Sequence, residues 1–188
     1  MVETILKIMM NNINRLERLA SDVTSVSTVV QGTLEINKKE VNLLEFLQET
    51  VEAYQHLLPE QFELSGSIDE SLSIAIDKYR IQQVIDNILN NAIKNTHSKQ
   101  RKIIMTVKDQ PSDVEIVITD NGAGIDPSNI ERIFAQFVSI ETEYSVTGTG
   151  IGLFLSREII TAHGGTIAAH SDGVGHGSQF IITINKFD

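Results

Sequence analysis

The stretch from residue 120 to residue 150 most constrains what this 188-residue chain can fold into. It has little hydrophobic periodicity and many Gly, Thr and Ser. Two glycine clusters bracket it, Asp120-Asn121-Gly122-Ala123-Gly124-Ile125 and Gly148-Thr149-Gly150-Ile151-Gly152-Leu153. A loop of that length inside a compact domain is uncommon and usually functional, so this stretch is expected to be a functional loop rather than core. The elements on either side must therefore be anchored elsewhere. Val114–Thr119 alternates as a strand just before the first cluster, and a helix is expected from Gly150 to about Ala162.

The remaining pattern supplies that anchorage. Leu34, Ile36 and Val41 fall in a short strand or loop segment. Asn42, with Glu45 three residues on, reads as an N-cap opening a helix to about Leu58, stopped by Pro59. Phe62–Ile68 and Leu72–Ile76 alternate like two strands joined by a turn. Asp77 caps a helix from Tyr79 to about Asn95. Ile103–Val107 pairs with Val114–Thr119 across the turn 109–112, and Thr166–His170 and Gln179–Ile184 close the chain. This order lacks regular strand–helix alternation. It predicts an α+β chain, a two-layer α/β sandwich whose mixed sheet is covered on one face by helices.

An N-terminal coiled-coil-like helix precedes this domain. Leu6, Met9, Ile13, Leu16, Ala20, Val23, Ser27 and Val30 recur at spacings of three and four, with Leu19 and Val26 widening the stripe. Two readings fit: a seam that meets another chain, or a helix lying on its own core. Gly32 separates the seam from the domain beyond it, so residues 1–31 are expected as one unit and 32–188 as another.

Charge and composition exclude several classes. A formal net charge of -10 argues against a nucleic-acid surface, which is bound by clustered Lys and Arg. With no cysteine there is neither a disulfide nor a thiolate site. No apolar run reaches the ~20 residues of a transmembrane helix, and the N-terminus lacks a secretory pattern. The expected location is cytoplasmic, with any membrane anchor in a longer parent protein.

Four clusters carry chemistry. Asn87 and Asn91, four apart, share a helix face, with Lys94 one turn on. Amide oxygens suit a hard cation such as Mg²⁺, although asparagines on a helix are usually just solvated. Asp120 at a strand end can accept an exocyclic amino group, and glycines let the backbone approach a flat ring closely. An Asx turn would also explain Asp120, Asn121 and Gly122, but not Gly124 followed by Ile125. Gly148–Leu153 opens a helix, whose free N–H groups and dipole favour phosphate. Phe134 and Phe137, in the loop between the glycine clusters, could anchor a mobile lid or form a small apolar cluster beneath it.

In order and spacing these clusters resemble the ATP-binding domain of sensor histidine kinases, in the superfamily shared with DNA gyrase, a heat-shock chaperone and mismatch-repair ATPases. Residues 81–96 match the asparagine box, Asp120–Ile125 the first glycine box, Phe134 and Phe137 the phenylalanine box, and Gly148–Leu153 the second glycine box. Residues 162–184 resemble the closing hairpin, and residues 1–31 the second helix of a dimerisation and phosphotransfer bundle.

The resemblance implies roles. Asp120 takes the adenine amino group, with Ser178 near it through water. Asn91 is the principal Mg²⁺ ligand, helped by Asn87. Lys94 and the amides of Gly148, Thr149, Gly150, Ile151, Gly152 and Leu153 hold phosphates of ATP. Gly122, Gly124 and Ile125 shape the adenine pocket, with Phe137 in the nucleotide site, and residues 126–147 form the ATP lid. A response regulator receiver domain and a homodimeric partner through the N-terminal helix are implied. Where superfamily ATPases carry a general-base Glu, this chain has Asn87, which favours transfer to an imidazole over hydrolysis. A dimerising nucleotide-binding scaffold with little catalysis is the alternative.

The sequence also departs from the pattern. None of the five histidines, His56, His97, His163, His170 and His176, has the phosphoacceptor context, so this chain alone is not expected to autophosphorylate. His163 reads as a structural residue at a helix end. Asn95 replaces the usual aromatic beside adenine, a loss worth ~1 kcal/mol of binding. The lid holds Glu141 and Glu143 but no Lys or Arg between Arg132 and Arg157.

Overall fold

A computed structural model describes residues 9, 10, 13, 20, 23–58, 61–66, 68–97, 99–140 and 149–187. It divides into two compact units, Met1–Glu35 and Ile36–Asp188. In the first, residues 23–30 are helical (α1), as are the described positions before them. Met9, Ile13, Val23 and Val30 of the expected seam are exposed. Leu6, Leu16 and Leu19 lie outside the described residues.

The second unit runs β1 (Lys39–Asn42), α2 (Leu43–Leu57), β2 (Phe62–Ser65), β3 (Ser73–Ile76), α3 (Lys78–Lys94), β4 (Ile103–Asp109), β5 (Asp113–Asp120), two 3-10 turns, α4 (Gly152–Ala162), β6 (Thr166–His170) and β7 (Ser178–Asn185). A five-stranded sheet has the order β2-β4-β5-β7-β6. Only β2 and β4 pair in parallel; the other neighbours are antiparallel. Helix α2 meets β2, α3 meets β5 and α4 meets β6. This is the expected α/β sandwich with a mixed sheet.

Residue parity decides what the sheet presents. Successive strand residues point to opposite faces. Val114, Ile116 and Ile118 of β5 are buried, in register with Asp109, Val107 and Met105 on one side and Ile184, Ile182 and Phe180 on the other. Asp120 continues that parity, in register with Ile103 and Ser178. The carboxylate thus ends a buried apolar row.

The helix caps match the sequence pattern. Asn42 Oδ1 accepts the Glu45 amide at 2.9 Å, and Asp77 Oδ1 accepts the Arg80 amide at 3.1 Å. Helix α3 buries Ile81, Val84, Ile85, Ile88, Leu89 and Ala92, the i, i+3, i+4 stripe of an amphipathic helix.

Two expectations change. The strands Phe62–Ser65 and Ser73–Ile76 form but do not pair with each other. β2 joins β4, while β3 pairs antiparallel with β1 and forms a separate two-stranded sheet. Alternation reports half-burial and does not choose a partner. Here Asn42 Nδ2 donates to Glu70 O at 2.7 Å and the Leu43 amide to Leu72 O at 3.0 Å, which ties β3 to the start of α2. The long loop also contributes to the core. Turns Pro127–Asn129 and Arg132–Phe134 occupy its first half, and Ile133 and Phe134 are buried.

His163 joins three elements at the far end of α4. Its Nε2 accepts the Asp77 amide at 3.1 Å, its Nδ1 meets Ile159 O at 2.8 Å, and its carbonyl accepts Lys38 Nζ at 3.2 Å. One ring nitrogen accepts while the other donates, which is the neutral imidazole.

Candidate functional site

Asp120 opens the first glycine cluster and is only 6% exposed. Its Oδ1 accepts the Gly122 amide at 2.8 Å, and its Oδ2 accepts the Ser178 hydroxyl. The Asx turn is therefore present, and the carboxylate is more than a turn former. Burial raises its pKa above the ordinary carboxylate range, and the Ser178 and Gly122 hydrogen bonds oppose that rise. Each carboxylate oxygen has two lone pairs, so acceptor capacity remains for a ligand amino group. Ser178 reaches Asp120 directly, through register partners on β5 and β7.

The glycines serve the protein's own backbone. A Cβ on Gly122 would collide with the Asn95 carbonyl, and one on Gly124 with the Gly173 carbonyl. The cluster is laced to its surroundings. Ala123 N donates to Asn95 O at 2.9 Å, Gly175 N to Ala123 O at 2.6 Å and Gly177 N to Gly122 O at 3.1 Å. Ile125 N donates to Ser171 Oγ at 3.0 Å, and Ser171 Oγ donates to Gly177 O at 2.7 Å.

Sequence reasoning misses Ser171. Its one signal is a hydroxyl directly after a strand, ahead of three alternating glycines. Gly124, at φ +69°, has both a left-handed backbone and no room. Gly124→Ala is expected to cost roughly 2–4 kcal/mol. Gly175→Ala, also at positive φ but in open space, should cost about 1 kcal/mol. Urea midpoints compare them, and equal losses would defeat the packing argument.

Helix α3 supplies the adjoining wall. Asn87, Asn91 and Lys94 lie along one side of it, beside the buried stripe. Asn87 Nδ2 donates to Gly152 O at 3.2 Å and approaches Ser156 Oγ at 3.4 Å, tying α3 to the first turn of α4. The side-chain amide of Asn91 makes no hydrogen bond among the described residues, and Lys94 is exposed. Asn95 turns its side chain back, Nδ2 to Asn91 O at 2.9 Å.

The second glycine cluster opens α4. Ile151 supplies no side-chain cap, and the first turn holds no acid. The leading amides of an α-helix lack intrahelical acceptors. Those of Gly152 and Leu153 therefore form an anion-compatible end. Thr149 Oγ1 takes the Ile151 amide at 3.4 Å, and the Phe137 amide donates to Gly150 O at 3.0 Å. Gly148 lies outside the described residues, as do Glu141, Glu143 and residues 141–147 of the expected lid.

The two loop aromatics divide their roles. Phe134 is buried, edge-on to Phe180, with the Arg157 guanidinium 5.4 Å from its ring centre. Arg157 Nη2 also donates to Phe134 O at 3.0 Å. Phe137 is 67% exposed and has a positive φ of 62°, rare for a bulky residue. Phe134 thus pins the loop, while Phe137 projects from it.

No group of three or more His, Asp or Glu among the described residues could hold a metal. Nor is any described helix long and apolar enough to cross a membrane. A divalent cation here would need amide oxygens plus oxygens brought by a ligand and water. Asn91, uncommitted and half-buried, fits that need.

Residues 76–187 match the family model described as "Histidine kinase-, DNA gyrase B-, and HSP90-like ATPase". The chain is similar to the sensor histidine kinase WalK of Bacillus subtilis (strain 168), 26% identical over 88% of this chain and 28% of WalK. It resembles the solved catalytic domain of histidine kinase ThkA, nucleotide-free, with a TM-score of 0.69 and 30% identity over 80% of this chain and 98% of that one. It also resembles histidine kinase ThkA solved in complex with response regulator protein TrrA, with a TM-score of 0.70 and 28% identity over 92% of this chain and 48% of that one. The chain spans 28% to 46% of the length of the first curated relatives it matches.

Proposed function

Because the chain belongs to the family of histidine kinase-, DNA gyrase B- and HSP90-like ATPases, we propose that it binds Mg·ATP as the catalytic domain of a two-component sensor histidine kinase. In the whole protein it would transfer the γ-phosphoryl to a histidine imidazole on a phosphoacceptor helix, for passage to a response regulator receiver domain. A relative solved with a response regulator supports that partner. The N-terminal helix, whose described seam residues Met9, Ile13, Val23 and Val30 are exposed, would pair with a second copy, and the domain would work in the cytoplasm.

One observation carries the reading. The C-terminal half of α3 and its C-cap residue touch both glycine clusters, through Asn87 to Gly152 and through Asn95 to Ala123. Adenine would sit against Asp120, with Gly122, Gly124 and Ile125 beside it. The phosphates would lie toward Lys94 and the opening amides of α4. Asn91 would hold Mg²⁺, and Asn87 would keep α4 in place as well as lend its oxygen. The metal would neutralise charge on the transferring group. Asn87 cannot act as a base, so it would not remove a proton from a nucleophile. The chain's part is to bind and orient ATP.

Calorimetric titration of Mg·ADP and of a non-hydrolysable ATP analogue tests this. Binding is expected, and Asn91→Ala should remove its Mg²⁺ dependence while metal-free ADP binding persists. No binding at millimolar nucleotide would sink the proposal. A nucleotide-binding scaffold with little catalysis is the second reading, favoured by Asn95. Its side chain returns to its own helix and offers adenine no aromatic ring.

A further inference from the structure

The loop after α3 is unlike the rest of the chain in charge. Residues 94–102, Lys-Asn-Thr-His-Ser-Lys-Gln-Arg-Lys, hold four of the chain's 15 Lys and Arg and no acid, on a protein of net charge -10. Lys99 and Lys102 are exposed and make no ion pair among the described residues. Lys78, Lys108 and Lys186 are each paired with an acid. Arg101 is committed to the end of α3, with Nη2 on Ile93 O at 2.9 Å.

This loop is fixed beside the candidate site. Asn121 Nδ2 donates to Gln100 O at 2.7 Å, and Asn121 Oδ1 accepts the Lys102 amide at 2.8 Å. Ile103, the next residue, is in register with Asp120. The loop between the glycine clusters, residues 126–147, by contrast holds a single basic residue, Arg132, whose guanidinium donates to Asn129 Oδ1 at 2.9 Å. Of the acids, Asp120 ends β5, Asp126 lies on the loop after it, and Asp172 on the turn packed against that loop. An anionic ligand approaching this acidic protein therefore meets its densest run of positive charge on the 94–102 bank.

We propose that Lys99 and Lys102 form an electrostatic collector that speeds the association of anionic nucleotide with the Asp120 site. The inference rests on the nucleotide reading above. Charges near a site raise on-rates over about a Debye length, ~8–10 Å at moderate salt, without needing to touch the bound ligand.

Stopped-flow association of a fluorescent N-methylanthraniloyl-ADP, with Mg²⁺, across ionic strength provides the test. At low salt, Lys99→Gln/Lys102→Gln should lower the association rate roughly three- to tenfold. The dissociation rate should be unchanged, and the two proteins should converge at high salt. Lys39→Gln, in β1 near the opposite end of α3, should change neither rate. Equal association rates at low salt would overturn the collector and leave the nucleotide reading intact. A rise confined to the dissociation rate would do the same, since it would mean direct contact. Failure of the unmodified chain to bind the probe would overturn both.

Discussion

Asp120→Asn is expected to weaken ADP binding on the order of 100-fold while leaving the ligand-free fold at least as stable at pH 7. The two effects have one cause. Asp120 is buried at the end of an apolar row, and burial raises its pKa. Its charge is thus a cost to the folded state at neutral pH. Asparagine keeps the turn, since its oxygen can accept the Gly122 amide and its Nδ2 can donate to Ser178. It removes the charge that burial disfavours and puts an N–H₂ donor where the adenine amino group needs an acceptor.

The raised pKa also sets the sign of the pH dependence. A carboxyl whose folded pKa is raised binds its proton more tightly folded than unfolded. The unmodified chain therefore gains stability from this group as pH falls through the folded pKa toward the unfolded value of about 3.9. The advantage of Asp120→Asn should be largest at neutral pH and shrink toward acid. Thermal midpoints from pH 4 to pH 7, beside ADP calorimetry at pH 7, measure both. A variant that binds ADP normally would remove Asp120 from the site. One that is much less stable at neutral pH would contradict the buried-charge argument.

His163→Leu is expected to destabilise the domain by about 2–3 kcal/mol. His163 is only 1% exposed, and its ring joins the N-cap of α3 to the last turn of α4. Leucine fills much of the volume but leaves the Asp77 amide without its acceptor. Burial holds the imidazole pKa below its ordinary value. The Ile159 hydrogen bond opposes that, Lys38 adds to it, and Asp77 opposes it.

The sign here is opposite to that of Asp120. Below about pH 6.5 the unfolded chain takes up a proton that the folded ring resists, so stability from this residue is present above that pH and is lost as pH falls. Protonation would also remove the acceptor lone pair at Nε2. Urea midpoints at pH 7.5, 6.5 and 5.5 should fall faster for the unmodified chain than for His163→Leu. Parallel profiles would show that His163 does not titrate in this way.

Much of this protein was determined locally. Asn42 and Asp77 begin helices because a short polar side chain can take a free amide three residues on. The stripe Ile81, Val84, Ile85, Ile88 buries itself because its period matches the helix turn. The same period lines up Asn87, Asn91 and Lys94. The order of the asparagine, glycine and phenylalanine clusters was sufficient to indicate the family.

Other features needed the tertiary structure, because they depend on residues far apart in the chain. Strand alternation could not say that β3 leaves β2 for β1, since hydrophobic pattern sets a face and pairing sets the neighbour. Nothing local distinguished Phe134, which Phe180 and Arg157 enclose, from Phe137, which stays exposed. Gly122 and Gly124 read as glycines that let a ligand come close. The Asn95 and Gly173 carbonyls already occupy the space a Cβ would need, and backbone approach is set by packing between segments about thirty to fifty residues apart. Asp120 illustrates the division. Its parity in β5 was legible in the sequence, but burial, the Ser178 hydroxyl and the raised pKa came only when β7 was laid beside it.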